Sequence, residues 1–290
     1  MASGESGVIG QTRTIPGQHL RGATRLRAAA LCLCLLPALW LGWQASHTML
    51  GPRPFTEAIH QSGDWAIRLL WLTLLVTPLR RILNAPRLIA VRQSFGLAAF
   101  GYAVLHVALY VVDQKFDAWK ILSEIALRYY LTIGFAALLG LTILAATSGA
   151  QGVRRLGSAA WNRLHKLVYL IAFASVLHFY IQTKLDVSEP ILMTGLLALL
   201  MGHRALVRHR RASAGGIALL ALAAALATLA SEVLWYRLVN GIPVVDLIAA
   251  NIDFEYEIKA MWWVLATGLV ASGLQWTRGA PQRQDAAPQQ

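Results

Sequence analysis

The stretch "WNRLHKLVYLIAFASVLHFY" (161–180) decides the fold. It is apolar enough for a membrane helix, yet it carries two imidazoles, His165 and His178, thirteen residues apart. A titratable ring at membrane depth is costly and ordinarily faces the protein interior with a defined partner. The rest of the chain fits that frame. Hydrophobic residues make up 57% of its 290 residues and charged ones only 14%, outside the range of soluble globular domains. The formal charge of +12 sits in short basic clusters between apolar runs, as a membrane-orienting signal does, which argues against nucleic-acid binding. Cys32 and Cys34, the only cysteines, lie in the first apolar run, too close together for a disulfide.

Segments long enough to span recur at 28–44, 64–79, 95–112, 129–147, 164–181, 190–207, 214–231 and 259–277, several near the roughly 20 residues a bilayer requires. The expected fold is therefore all-α, a polytopic transmembrane bundle of about eight helices. The first apolar run is expected to stay as a helix rather than be cleaved, because Trp40 and Trp43 close it like interfacial anchors. Arginine-rich segments (Arg80, Arg81, Arg87, Arg92; Arg154, Arg155, Arg163; Arg204, Arg208, Arg210, Arg211) alternate with poorly basic ones. The positive-inside rule places them, and both termini, in the cytoplasm. The segments 45–63 and 232–258 face outward on this reading.

Depth follows from about 1.5 Å of rise per residue. His106 is eleven residues after Phe95 and His178 fourteen after Leu164, on helices that both run outward, so the two rings reach a comparable outer level. His165 lies about 20 Å below His178. Two neutral imidazoles from neighbouring helices can take both axial positions of a haem iron; alternatively, each ring simply donates a hydrogen bond to a neighbouring helix. On an ideal helix His165 and His178 point about 140° apart, so both can face one stack only across a kink or a frayed end. Arg92, fourteen residues before His106 and about 40° off its face, suits a haem propionate or a flavin or quinone oxygen; an ordinary positive-inside arginine is the competing reading. Elsewhere, His203 and His209 read as surface residues, and His47 and His60 as loop residues. Asp64 reads as a helix start with Trp65 as an interfacial anchor, Pro78 as a terminator or kink, and Tyr129 and Tyr130 as belt aromatics.

The segments "HQSGDW" (60–65), "LLVTPLRR" (74–81), "RQSFGLAAFGYAVLHVALY" (92–110), "RYYLTIG" (128–134) and "RRLGSAAWNRLHKLVYL" (154–170), followed by "LH" at 177–178, resemble the haem-binding subunit family of methionine-sulfoxide reductases, within the ferric-reductase-like transmembrane domains. The likeness covers about residues 28–207. It implies a six-helix haem-binding core after a tail at 1–27, and a C-terminal extension at 208–290 with two further helices and no counterpart in the family. It implies haem b, one or two per chain, with His106 and His178 as the outer ligand pair and His165 as a third haem-associated histidine. The fourth histidine of wider ferric reductases falls here at Arg92 or Gln93. A flavin mononucleotide on the cytoplasmic side is also implied, with no residue assigned to it.

The expected function is electron transfer across a bacterial inner membrane, from quinone or flavin to a periplasmic molybdopterin enzyme that reduces methionine sulfoxide. The chain would then be a redox subunit rather than a self-contained enzyme. No G-x-G-x-x-G, P-loop or soluble αβ pattern supplies a fused nucleotide-binding domain. The alternatives are a ferric-reductase-like oxidoreductase with another acceptor and a haem-free transport or assembly protein.

Overall fold

The computed structural model describes residues 16–183, 186–255 and 257–279, and those residues form helices and turns without a strand. The N-terminal residues 1–15 and Lys184 lie outside the described residues. Eight long helices carry the eight expected segments: α1 (Pro16–Ser46), α2 (Pro54–Ile82), α3 (Ile89–Asp113), α5 (Tyr129–Ala146), α7 (Leu167–Thr183), α8 (Ser188–Arg208), α9 (Ala214–Asn240) and α11 (Ala260–Gly279). Three shorter ones, α4 (Ala118–Leu127), α6 (Ala150–Leu164) and α10 (Val244–Ile252), occupy what the sequence offered as loops. By length and apolarity five helices qualify to cross a membrane, or six if the bent pair α6–α7 is one span. Among the long helices outside that set is α2, with Asp64, Arg68, Arg80 and Arg81 along it. The protein is a multi-pass, all-helical membrane protein.

The short helices escape a hydropathy reading because each is amphipathic. α4 is capped by Asp117, whose carboxylate accepts from the Lys120 N–H at 2.9 Å, and it exposes Trp119 and Leu127, a face suited to the headgroup boundary. α6 is interrupted at Gly157, where φ is +74°, a conformation that glycine adopts without a Cβ penalty. The axis then bends by 48° between α6 and α7.

Packing uses few but specific polar contacts. The Tyr102 hydroxyl is inserted into α1, accepting from the Ala38 N–H at 2.7 Å and donating to the Cys34 carbonyl at 2.8 Å. The Trp71 indole N–H of α2 reaches the Met193 carbonyl of α8 at 3.0 Å. Arg68 grips Glu189 through two hydrogen bonds of 2.8 Å, the paired geometry that makes guanidinium–carboxylate contacts specific. The extension seats on α8 through small residues: a Cβ at Gly195 would overlap Thr228 and Val264, and one at Gly202 would overlap Leu220.

Pro78 does not end α2, which runs on to Ile82. Proline has no N–H to give the carbonyl one turn back, and the Leu74 carbonyl, the one left without it, accepts instead from the Arg204 guanidinium at 2.6 Å. Arg204→Met is expected to cost about 1–3 kcal/mol by leaving a buried acceptor unsatisfied. Adding Pro78→Ala, which restores the missing N–H, is expected to recover part of that loss in a thermal-melting double-mutant cycle; strict additivity would refute the pairing.

Several expectations about single residues are corrected. α2 begins at Pro54, the residue type favoured at a first helical position, so Asp64 stands mid-helix rather than at a start. His60 is on α2 rather than in a loop. His203 is only 7% exposed and is not a surface residue. α9 continues to Asn240, well past residue 231, and ends at Gly241 in the left-handed region with φ of +70°.

Candidate functional site

α3 and α7 bring His106 and His178 to one level of the bundle, with ring centroids 6.4 Å apart and ring planes at 88°. Both rings are tethered in the same way. His106 Nδ1 lies 2.7 Å from the Ile59 carbonyl of α2, and His178 Nδ1 lies 2.8 Å from the Tyr130 carbonyl of α5. A carbonyl can only accept, so each Nδ1 carries the proton and each Nε2 keeps its lone pair. No hydrogen bond engages either Nε2 among the described residues.

Each tether has a glycine one turn beyond the accepting carbonyl. A Cβ at Gly63, four residues after Ile59, would lie 3.0 Å from His106 Nδ1, and one at Gly134, four after Tyr130, 2.9 Å from His178 Nδ1 and Cε1. Real Cβ atoms essentially never sit closer than 3.0 Å to such a neighbour, so the two glycines form notches into which the rings dock. The buried Ser62 hydroxyl lies beside this tether, its one hydrogen shared between the Ala58 carbonyl at 2.7 Å and the Ile59 carbonyl at 2.9 Å.

Such second contacts are the usual support of a metal-bound imidazole: the far nitrogen is bonded to a carbonyl, fixing tautomer and ring orientation. An imidazole nitrogen bound at about 2 Å puts its ring centre roughly 3 Å from the metal, so two axial rings need centroids on the order of 6 Å apart. The observed separation matches. No group of three or more His, Cys, Asp or Glu that could hold a bare metal ion occurs among the described residues. Two ring nitrogens from neighbouring helices at one level therefore suit a metal whose remaining positions come from its own macrocycle.

His165 is not brought to this pair. It caps α6 at the bend, its ring is stacked on Trp161 at 3.9 Å, and its Nε2 lies 3.2 Å from Thr147 Oγ1. Thr147 gives its own hydrogen to the Ile143 carbonyl at 2.7 Å and so accepts from His165. Thirteen residues separate the two histidines along the chain, and the 48° bend between α6 and α7 lies between them. Arg92 is half-buried on α3 near His165 and Arg204, so the opposite end of the bundle gathers positive charge. Arg204 itself lies over the Tyr169 ring at 5.5 Å. Gln93 donates to the Ser148 carbonyl at 3.2 Å.

Reading histidines alone missed Gly63, Gly134 and the two carbonyls. A signal was available, since "HQSGDW" and "RYYLTIG" contain those glycines at the helix positions the rings require. His60 in the first of these segments is exposed on α2, while its neighbour Gly63 makes the contact. His47, also considered, is exposed at the end of α1, bonded at Nδ1 to the Trp43 carbonyl.

Comparison with known proteins bears on this site. The family described as "Ferric reductase like transmembrane component" matches residues 62–176, a span that includes Gly63, His106, Gly134 and His165 and stops two residues short of His178. Similar proteins named "Protein-methionine-sulfoxide reductase heme-binding subunit MsrQ" include that of Caulobacter vibrioides, 40% identical over 181 residues, covering 62% of this chain and 86% of the relative. That of Xanthomonas axonopodis pv. citri is 43% identical over 184 residues, covering 62% and 84%. The Rhodospirillum rubrum protein is 39% identical over 201 residues, covering 69% and 97%. No solved structure matches the chain. With this identity over nearly the whole length of such relatives, and with a ferric-reductase-like segment spanning the helices that build the histidine pair, the chain belongs to the MsrQ family of methionine-sulfoxide reductase heme-binding subunits.

Proposed function

We propose that the protein is the haem b electron-transfer subunit of a methionine-sulfoxide reductase system, with His106 and His178 as the residues that would hold one haem iron. The single observation that carries this reading is the ring pair at 6.4 Å whose outer nitrogens are both committed to backbone carbonyls. A haem-free protein would also use its histidines to bond neighbouring helices. That account explains the Nδ1 contacts but gives no reason for two lone-pair nitrogens at one level.

The chain's own part is holding and shielding. Ile59 and Tyr130 fix the tautomer of each ring, while Gly63 and Gly134 let the rings sit against α2 and α5. Ala99, Tyr102, Ala172 and Val176, all buried on α3 and α7, belong to the apolar core around those helices. Haem, when bound there, supplies one-electron chemistry, its potential set by the two imidazoles and the apolar shell.

The second end of the bundle, with Arg92, Arg204 and His165, is the proposed side of electron entry. Arg92 there suits a haem propionate, a quinone oxygen or the phosphate of a flavin mononucleotide, and His165 would serve a second haem or donor at that level rather than the first. Orientation by the positive-inside rule puts this end in the cytoplasm of a bacterial inner membrane, with both termini. Electrons would then leave on the periplasmic side to a molybdopterin catalytic subunit. Residues 28–207 form the redox domain on this reading and 208–290 an addition to it. The ferric-reductase-like match favours ferric iron as the second acceptor to try.

A reduced-minus-oxidised spectrum of protein purified after haem-replete expression tests the reading. A b-type signature is expected at one or two haems per chain, and a colourless protein would overturn it. A reduced quinone or flavin is expected to reduce the haem, and a methionine-sulfoxide-reducing catalytic subunit with oxidised protein substrate, added once the donor is spent, to reoxidise it; a signal that stays reduced would point to another acceptor.

A further inference from the structure

The C-terminal helices do more than brace α8. Between the start of α8, the outer part of α9 and the segment leading into α11 lies an open cleft of about 300 Å³, lined among others by Ile191, Leu192, Glu232, Lys259 and Trp263. This is the size at which small-molecule sites begin. Glu232 is only 6% exposed, and its Oε2 is buried with no hydrogen-bond partner among the described residues. Asn251, 1% exposed, interacts with the same carboxylate and leaves its own Oδ1 equally without a donor.

The charges around the cleft do not balance. Glu189 is neutralised by Arg68, and Lys259 contacts Glu257 directly while reaching Glu232 only through its field, which leaves Glu232 without an ion pair of its own among the described residues. A buried carboxylate is expensive unless a cation and hydrogen-bond donors meet it, and here two neighbouring acceptors face the same want. A bare metal ion lacks a ligand cluster among the described residues. An organic ammonium brings charge and several N–H donors together. Ile191, Leu192 and Ala260 offer its carbon body an apolar wall, which the exposed indole of Trp263 extends to the mouth.

We propose that this cleft binds a small organic ammonium, its nitrogen on Glu232 and its carbon body against Trp263. The site adjoins α7, the helix that carries His178: Tyr180, two residues beyond His178 and so on another face of that helix, contacts Trp235 at 5.1 Å, and Trp235 is three residues beyond Glu232 on α9. It rests on neither haem nor the electron acceptor, so its test can fail or succeed independently of the redox reading.

The experiment is calorimetric titration of the full chain in nanodiscs with n-pentylammonium, and with 1-pentanol as the uncharged counterpart. Saturable binding of pentylammonium is expected, at least tenfold weaker in Glu232→Gln, while pentanol binds weakly to both. Equal affinity in Glu232→Gln, equal affinity for pentanol, or no saturable binding overturns the proposal. Should Glu232→Gln not fold, Lys259→Met carries the test: loss of the competing cation is expected to tighten pentylammonium binding several-fold, and unchanged or weaker binding refutes the site. Nanodiscs of phosphatidylethanolamine compared with phosphatidylglycerol separate the sources, since a lipid headgroup competes in the former only and a soluble amine is unaffected by the exchange.

Discussion

Replacing His178 by alanine is expected to remove one haem per chain, and replacing His106 to remove the same one, whereas His165→Ala leaves it in place. An axial site needs both nitrogens. Loss of a mere supporting contact to a metal ligand already costs about 10–100-fold in affinity, so loss of a ligand should cost at least as much and deplete that haem from purified protein. The three histidines differ in what else they hold. His106 and His178 each release one backbone carbonyl when truncated, on α2 and α5, while His165 releases Thr147 and uncovers Trp161. Haem-to-protein ratio is the decisive measurement, with His106→Ala/His178→Ala expected to lose no more than either single variant. Depletion by His165→Ala alone, with His178→Ala still fully loaded, would place the site at the wrong end of the bundle.

What the sequence made legible was set by the physics of each feature. Long apolar runs declare themselves, because a bilayer demands length and hydrophobicity together, and all eight segments lie in helices. Depth was legible too: counting residues along two parallel helices put His106 and His178 at one level, which agrees with the ring contact. Direction across a helix break was not. The ideal-helix angle between His165 and His178 assumes continuity, and the bend at residues 165–166 removes it.

Features that depend on backbone groups were also out of reach. No composition window marks the Ile59 or Tyr130 carbonyl, and Pro78, which reads in sequence as a terminator or a kink, gives no sign of the guanidinium that meets Leu74 from 130 positions along the chain. His203 was taken for a surface residue for a related reason: its arginine neighbours in sequence spoke for an exposed end, whereas the packed face of α8 buries it. Short amphipathic helices such as α4 and α10 carry too few apolar residues for a hydropathy scan, although their periodicity is helical.

The glycine notches supply a prediction of comparable size that leaves both ligands present. A methyl group at residue 134 would enter the space of the His178 ring at 2.9 Å from two of its atoms, and at residue 63 the nearest ring atom of His106 would be 3.0 Å away. Neither ring can withdraw freely, since each is held by Nδ1 to the carbonyl four residues earlier on the same helix as the glycine. Gly134→Ala is therefore expected to weaken haem retention by roughly 10–100-fold, the range seen when support to a metal ligand is lost, and Gly63→Ala to weaken it less. Leucine at either position should abolish retention. Gly96→Ala is the matched control: it lies on α3, and its added Cβ would meet only Thr73 at 3.6 Å, an ordinary contact. It should leave both haem and fold intact. A helix-packing role alone would make Gly134→Ala lower the melting temperature without changing the haem bound by the folded fraction. A positioning role predicts the reverse, a folded and haem-depleted protein whose remaining haem shows altered axial ligation in its electron paramagnetic resonance spectrum.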